Sequence, residues 1–578
     1  MLKFLLLATC TICSTIIIQA RPSMVRDSFN SITIIVPEEL GGESEEERFT
    51  DDWNYRLESN KIPVLSSVLK NHTLPPTSNG TSRLLWELDQ EKTTHLPQFV
   101  DKALKLLNLK QVAFEIENSV MSKVSCTACK AGAGLLQHYT RTGKSEKEIK
   151  KTIYRFCVNL KIQSPRVCEG ITELFAGEVI YVLSKVKIGA DEICSFVIGD
   201  ACGDVYNPYH EWEVMFPPVP KPKVVESKIP EVNAPTFKVL HLSDTHYDPY
   251  YMEGSNADCG EPLCCRLTNG LANTKEQAAG KWGDYRKCDS PKITVDNMLD
   301  HIQETHPDID YILWTGDLPP HDIWNQTKEE NLNSSMYVYE CVIFVKENMS
   351  LFEIFDRNHS QYYAIISRYE STITAQFFGH THYDEFEVFY DHKDLGRAVS
   401  IGYVGPSVTP YYDLNPGYRI YYVDGDHDKS TRAVVDHESW TMNLREANLY
   451  GYPIWFKLYT AKQAFGLDAL RPQDWDELVT KMSNDPKLFE LFYKYYYKAS
   501  PARPSCDIAC KKKILCDLHS GRSHDRRNLC EALESRIDSS TSKSWKEWIY
   551  NTISVSMSVL MSIPRLTIQL PKYVLGLG

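Results

Sequence analysis

Apolar residues recur at three- and four-residue steps in Ala131–Tyr139, Ile149–Leu160 and Ile171–Val186, which predicts three amphipathic helices in one short block. From Phe237 the pattern shortens into β-rich runs that stop at polar residues. Phe237–Leu242 runs into Ser243-Asp244, Tyr311–Trp314 into Thr315-Gly316-Asp317, and Ala375–Phe378 into Gly379-His380. Beyond about Asn443 the spacing is helical again, with Trp475, Leu478, Met482, Leu488, Phe492 and Tyr495 in step. A stiff linker separates the first helical block from the strands: seven prolines fall between Pro208 and Pro235, and such chain is extended and neither helix nor central strand.

The two ends follow other patterns. Lys3 precedes a mostly apolar run, Phe4 to Ile18, and then Gln19-Ala20 and a polar exit. That predicts a secretory signal over 1–20, because a membrane-spanning helix needs roughly 20 apolar residues. Residues 21–121 are polar, carry no motif and read as a pro-segment. The tail 541–578 is partly apolar, but Pro564, Arg565 and Pro571 argue against a transmembrane span.

Composition changes this picture in three ways. A chain of 578 residues has room for two to four domains, and a net charge of -13 argues against a nucleic-acid partner. Secretion makes the cysteines read as a disulfide framework rather than as metal ligands. Cys10 and Cys13 leave with the signal, while Cys126, Cys129, Cys157, Cys168, Cys194 and Cys202 staple the helical block. Cys259, Cys264, Cys265 and Cys288 form a second group, and Cys506, Cys510, Cys516 and Cys530 form local loops, so Cys341 is left alone. Spacing by itself does not select the pairing. Sequons begin at Asn71, Asn79, Asn325, Asn333, Asn348 and Asn358, which predicts a glycoprotein.

The candidate chemistry sits where the short strands stop. Asp244-Thr245-His246, Gly316-Asp317 and Gly379-His380-Thr381-His382 supply the carboxylates and imidazoles that a divalent cation such as zinc takes. One intervening residue lets two side chains of extended backbone share a side, and the glycines suit tight turns. A lone Asp-x-His is common, but three such motifs after three strands predict one shared metal site, because ligands gather where α/β strands end.

These motifs resemble those of the calcineurin-like metallophosphoesterases. The flanking text is similar to the acid sphingomyelinase family in Ser243–Tyr251, Cys264-Cys265-Arg266, Trp282–Tyr285, Gly316–Asp322, Ala375–Phe389 and Asn415–Arg419, and the stapled helical block resembles a saposin B-type domain. The resemblance implies an α/β metallophosphoesterase over 237–442, a β-sandwich flanked by helices. An all-α saposin domain at 122–206, a linker at 207–236 and a helical C-terminal region with two disulfides at 443–540 would complete it. It implies disulfides Cys126–Cys202, Cys129–Cys194, Cys157–Cys168, Cys259–Cys264 and Cys265–Cys288. Two Zn2+ are implied, one held by Asp244, His246, Asp317 and His382 and the second by Asp317 and His380, with His321 protonating the leaving oxygen. The activity implied is hydrolysis of sphingomyelin to ceramide and phosphocholine, at a membrane lipid surface met through the saposin domain, in a secreted or lysosomal protein. The alternatives are a non-catalytic lipid-binding protein and a phosphodiesterase for other substrates such as nucleotides.

The sequence also departs from that family. Members carry a Gly-Asn-His-Glu motif after the Gly-Asp motif and a further Gly-His before Gly-His-Thr-His, and this chain has neither. Only 63 residues separate Asp317 from His380, and the stretch from about 334 to 361, with Cys341 inside it, matches nothing in the family. The second metal is therefore expected to lack two ligands, and turnover to be impaired.

Overall fold

The computed structural model describes residues 123–539 except 160–161, 199–201, 203–214, 217, 225–227, 346–350, 354–358, 392 and 523–524, and the side chains of 123–125, 196–197 and 339–361. The signal, the segment 21–121, the sequons at Asn71, Asn79, Asn348 and Asn358, the Cys341 side chain and the tail from 541 onward lie outside the described residues. Among the described residues no helix is long and apolar enough to cross a membrane.

Four helices come first: α1 (Lys123–Arg141), α2 (Glu146–Asn159), α3 (Pro165–Lys185) and α4 (Ala190–Ile198). Ser164 caps α3 through its side chain, and Pro165 occupies the first turn, where a missing N–H costs nothing. Leu135, Ile149 and Ala176 are buried in this block. Disulfides Cys129–Cys194 and Cys126–Cys202 tie α1 to α4 and to the chain beyond it, and Cys157–Cys168 ties α2 to α3. The start of α3 docks on the following domain. Ser164 Oγ donates to Glu261 at 2.8 Å, Arg166 pairs with the same carboxylate, and Val167 packs against Leu263, Trp324 and Tyr411.

The next part is mixed α/β. A six-stranded sheet runs in the order β3-β2-β1-β7-β8-β9. Its members are β1 (Thr236–Leu242), β2 (Tyr311–Trp314), β3 (Leu351–Glu353), β7 (Gly417–Asp424), β8 (Val434–Met442) and β9 (Trp455–Thr460). A three-stranded sheet follows the order β4-β6-β5, made of β4 (Gln376–Phe378), β5 (Glu385–Tyr390) and β6 (Ala398–Val404). The first three strands of the large sheet are parallel and the remaining pairs antiparallel.

Alternation along β1 explains the layers, since successive side chains point to opposite faces. Val239 joins Tyr421, Phe386, Val388, Ile401 and Tyr403 in one core shared by both sheets and by Trp475, Leu478 and Phe492 of the C-terminal helices. Leu240 and Leu242 face the other way, against Val295, Met298 and Ile302 of the helix Lys292–Thr305. The stretch 443–540 is not wholly helical. β9 lies inside it and pairs with β8, because Trp455, Phe456, Leu458 and Tyr459 favour an edge strand over a helical turn. Disulfides Cys506–Cys510 and Cys516–Cys530 close loops at and after the helix Ile508–Leu518.

Three loops meet at one buried cation. Arg266 donates to Asp248 at 2.8 Å and pairs with Asp322, and all three are buried. Asp248 follows β1, Asp322 follows β2, and Arg266 sits in the segment closed by Cys259–Cys264 and Cys265–Cys288. Arg266→Ala strands two buried carboxylates, so unfolding in denaturant should show a loss of about 3–5 kcal/mol.

Candidate metal centre

All three strand-end motifs converge. Asp244 and His246 follow β1, Asp317 follows β2, and His380 and His382 follow β4. These five residues have φ of 49°, 40°, 51°, 80° and 71°, left-handed backbone that non-glycine residues rarely adopt. Each such residue costs about 1–3 kcal/mol, which the surrounding structure must hold in place and which is typical of functional sites.

The holding contacts come from both sheets. Asp244 N–H donates to the Gly316 carbonyl at 3.1 Å and His246 N–H to that of Asp317 at 3.0 Å. The loop after β6 stitches the sheets together: Gly405 N–H donates to Phe378 O at 2.8 Å, Val408 N–H to Ser243 O and Thr409 N–H to Asp244 O, both at 3.0 Å. Gly379 is required by close approach. A Cβ there would lie 2.0 Å from Ser243 Oγ and 2.6 Å from Asp244 Oδ2.

The donor atoms fall into two trios, each within 4.8 Å: His246, His321 and His382, and Asp244, Asp317 and His380. His382 Nε2 lies 3.2 Å from His246 Nε2 and 3.6 Å from Asp244 Oδ1, which links the trios. His380 Nδ1 is 2.9 Å from Asp317 Oδ2, and the His380 backbone N–H donates to Asp244 Oδ1 at 2.7 Å. The Nδ1 of His246 donates to the Pro319 carbonyl at 2.8 Å, which leaves Nε2 with a lone pair aimed inward. Hard carboxylates and neutral imidazoles around one point are a donor set that fits zinc.

Electrostatics agree with that use. Burial, then the charge of Asp317, pushes the Asp244 carboxyl up to about 7. Burial also lowers His246 to about 4 and His382 well below its ordinary value, so both rings keep the lone pair a metal needs. For Asp317 burial acts upward, but the His380 hydrogen bond and the nearby imidazoles outweigh it and hold the carboxyl below the usual range.

His321 sits beside these groups in a fixed orientation. Its Nδ1 lies 2.7 Å from Asp289 Oδ1, and its own amide donates to Asp289 Oδ2 at 2.7 Å. Its ring stacks on His246 at 3.8 Å on one side and on Tyr411 at 4.2 Å on the other. Asp289 is fully buried and also accepts from Thr409 Oγ1 at 3.2 Å. Neither Asp289, Thr409 nor Tyr411 stands in a motif that sequence reading singles out. Exposure is uneven across the site: the His380 side chain is 74% exposed and that of Asp317 41%, while Asp244 is at 0%.

Comparison of the sequence with known proteins identifies a family. The model of the acid sphingomyelin phosphodiesterase C-terminal region matches residues 397–526. The chain is 30% identical to the sphingomyelin phosphodiesterase of Bos taurus over 527 residues, covering 71% of this chain and 84% of the relative. The sphingomyelin phosphodiesterase of Homo sapiens is 30% identical over 530 residues, covering 71% and 83%. For sphingomyelin phosphodiesterase B of Dictyostelium discoideum the figures are 29% over 520 residues, 68% and 80%. Since 71% of 578 residues cannot fill 527 aligned positions, the Bos taurus relative carries internal sequence that this chain lacks. The chain belongs to the acid sphingomyelinase family of phosphodiester hydrolases.

Proposed function

We propose that this chain hydrolyses sphingomyelin to ceramide and phosphocholine at a two-zinc site, with one ion on Asp244, His246, Asp317 and His382 and the other on Asp317 and His380. The observation that carries the reading is the convergence of these five residues, all in left-handed backbone, at the ends of three strands. When bound, two close divalent cations neutralise phosphoryl charge and activate water for in-line displacement.

The chain's own groups supply the rest. Asp289 fixes His321 so that Nδ1 carries the proton it shares with the carboxylate and Nε2 faces the site, where it protonates the leaving ceramide oxygen. Stacking between His246 and Tyr411 stops the ring from turning away. The helices α1–α4 act as a saposin B-type domain over 122–206 that meets membrane lipid, a role supported by their three disulfides and by exposed Leu174, Tyr181 and Val182 on α3. The linker 207–236 joins it to the phosphoesterase unit at 237–442 and the C-terminal region at 443–540. Exposed Asn325 and Asn333 suit glycosylation of a secreted or lysosomal protein.

A second reading, a lipid-binding protein without turnover, is favoured by the exposure of His380 and Asp317, because an open pair of ligands holds an ion weakly. Sphingomyelin vesicles at acidic pH with added zinc separate the two. Release of phosphocholine that is abolished by Asp317→Asn is the expected result, and vesicle binding without release would leave the second reading standing.

A further inference from the structure

Strand directions put a second surface beside the metal centre. β1 and β8 end, and β7 and β9 begin, at one end of the large sheet: His241 faces Arg419, Gly417 faces Thr441, and Met442 faces Trp455. The connection from β8 to β9 therefore rises from the sheet end that carries Asp244 and His246, two to three strand spacings or ~10–14 Å along the sheet. Its last part is Leu449-Tyr450-Gly451-Tyr452-Pro453-Ile454, continuing into Trp455-Phe456. Leu449 is 72% exposed, Tyr450 62%, Tyr452 58% and Ile454 60%.

The base of this connection is firmly held, so the exposure is built in. Asn443 caps the helix Leu444–Tyr450, and Gly451 ends it at φ 85°. Asn448 accepts from Trp282 N–H at 2.8 Å and donates to Gly283 O at 3.0 Å, and the Trp455 indole donates to Asn297 at 2.9 Å. Arg445 and Glu446 are exposed on the helix that leads to this apolar tip, and Lys281, next in sequence to the Trp282 whose N–H Asn448 accepts, is exposed too. Tyr412, next in sequence to the Tyr411 that stacks on His321, is exposed as well.

We propose that this β8–β9 connection inserts into the lipid bilayer and holds the phosphoesterase site at headgroup depth, in addition to any contact made by α1–α4. The inference rests on sphingomyelin being the substrate. Tyrosines with aliphatic neighbours are the composition that settles at a membrane–water interface. A stable dimer needs roughly 800 Å² from each partner, more than one narrow turn offers, whereas a bilayer requires only a tip that reaches in.

Flotation of the full chain on vesicles of phosphatidylcholine, sphingomyelin and phosphatidylserine tests it. The triple variant Tyr450→Ser, Tyr452→Ser, Ile454→Ser should bind at least roughly tenfold more weakly. Its circular dichroism and its hydrolysis of the soluble diester bis-p-nitrophenyl phosphate should match the parent. Because flotation needs no turnover, a parent that binds vesicles but releases no phosphocholine defeats the proposed activity and leaves this result readable. Equal vesicle affinity of variant and parent overturns the inference. So does a parent that is dimeric in solution and becomes monomeric in the variant, since a second copy would then cover the patch.

Discussion

His321→Ala should lower sphingomyelin turnover by about 10²–10⁴-fold, the share that a positioned general acid contributes, with zinc content unchanged. Asp289→Asn should reproduce much of that loss. The buried Asp289 carboxylate accepts twice from His321, at the ring Nδ1 and at the backbone amide, and once from Thr409. An asparagine has one acceptor oxygen to offer, so either the tautomer or the loop that carries His321 is lost. Steady-state phosphocholine release, read as separate kcat and KM, checks this: a positioning role lowers kcat and leaves KM near its parent value. Metal analysis of the same variants is the control. Because the His321 donor lies within 4.8 Å of those of His246 and His382, zinc lost on His321→Ala would make this residue a ligand and not the acid.

The contrast between His321 and Asp289 also shows what sequence could reveal. Asp244, His246, Asp317, His380 and His382 were legible because each follows a short apolar strand within a few residues, and strand ends bring such groups together by simple geometry. The partners that orient them come from afar. Asp289 lies 32 positions before His321 in a stretch with no motif, and Thr409 lies 120 positions from Asp289 on the loop after β6. Only tertiary packing joins them. Lys498 makes the same point, since its buried ammonium holds Ser407 of that loop, at 2.8 Å to the carbonyl, from the far C-terminal region. Helical spacing beyond about Asn443 misleads in the opposite sense: Trp455–Thr460 is a strand, and the connection before it leaves Leu449, Tyr450, Tyr452 and Ile454 exposed.

The largest effect on metal binding should come from the buried half of the site. Loaded with zinc and dialysed, the chain should keep one equivalent, and His246→Ala or His382→Ala should keep none. Both imidazoles are buried and held neutral, and the Nδ1 of His246 is already committed to Pro319, so Nε2 is presented without reorganisation. Losing such a ligand should cost more than the roughly 10–100-fold that loss of an outer partner costs. In the proposed arrangement the second ion depends on Asp317 and His380, whose side chains are 41% and 74% exposed. Two protein ligands in contact with water bind zinc weakly, since four-coordinate sites draw three or four ligands from the protein. His380→Ala should therefore leave the retained equivalent in place and change only the response to free zinc. Turnover should keep rising with zinc after the first ion is bound, and titration with a graded series of chelators should remove activity before it removes the tight ion. Two equivalents retained after dialysis would mean that other residues complete the second site, and the open face beside His380 would then be the place to look for them.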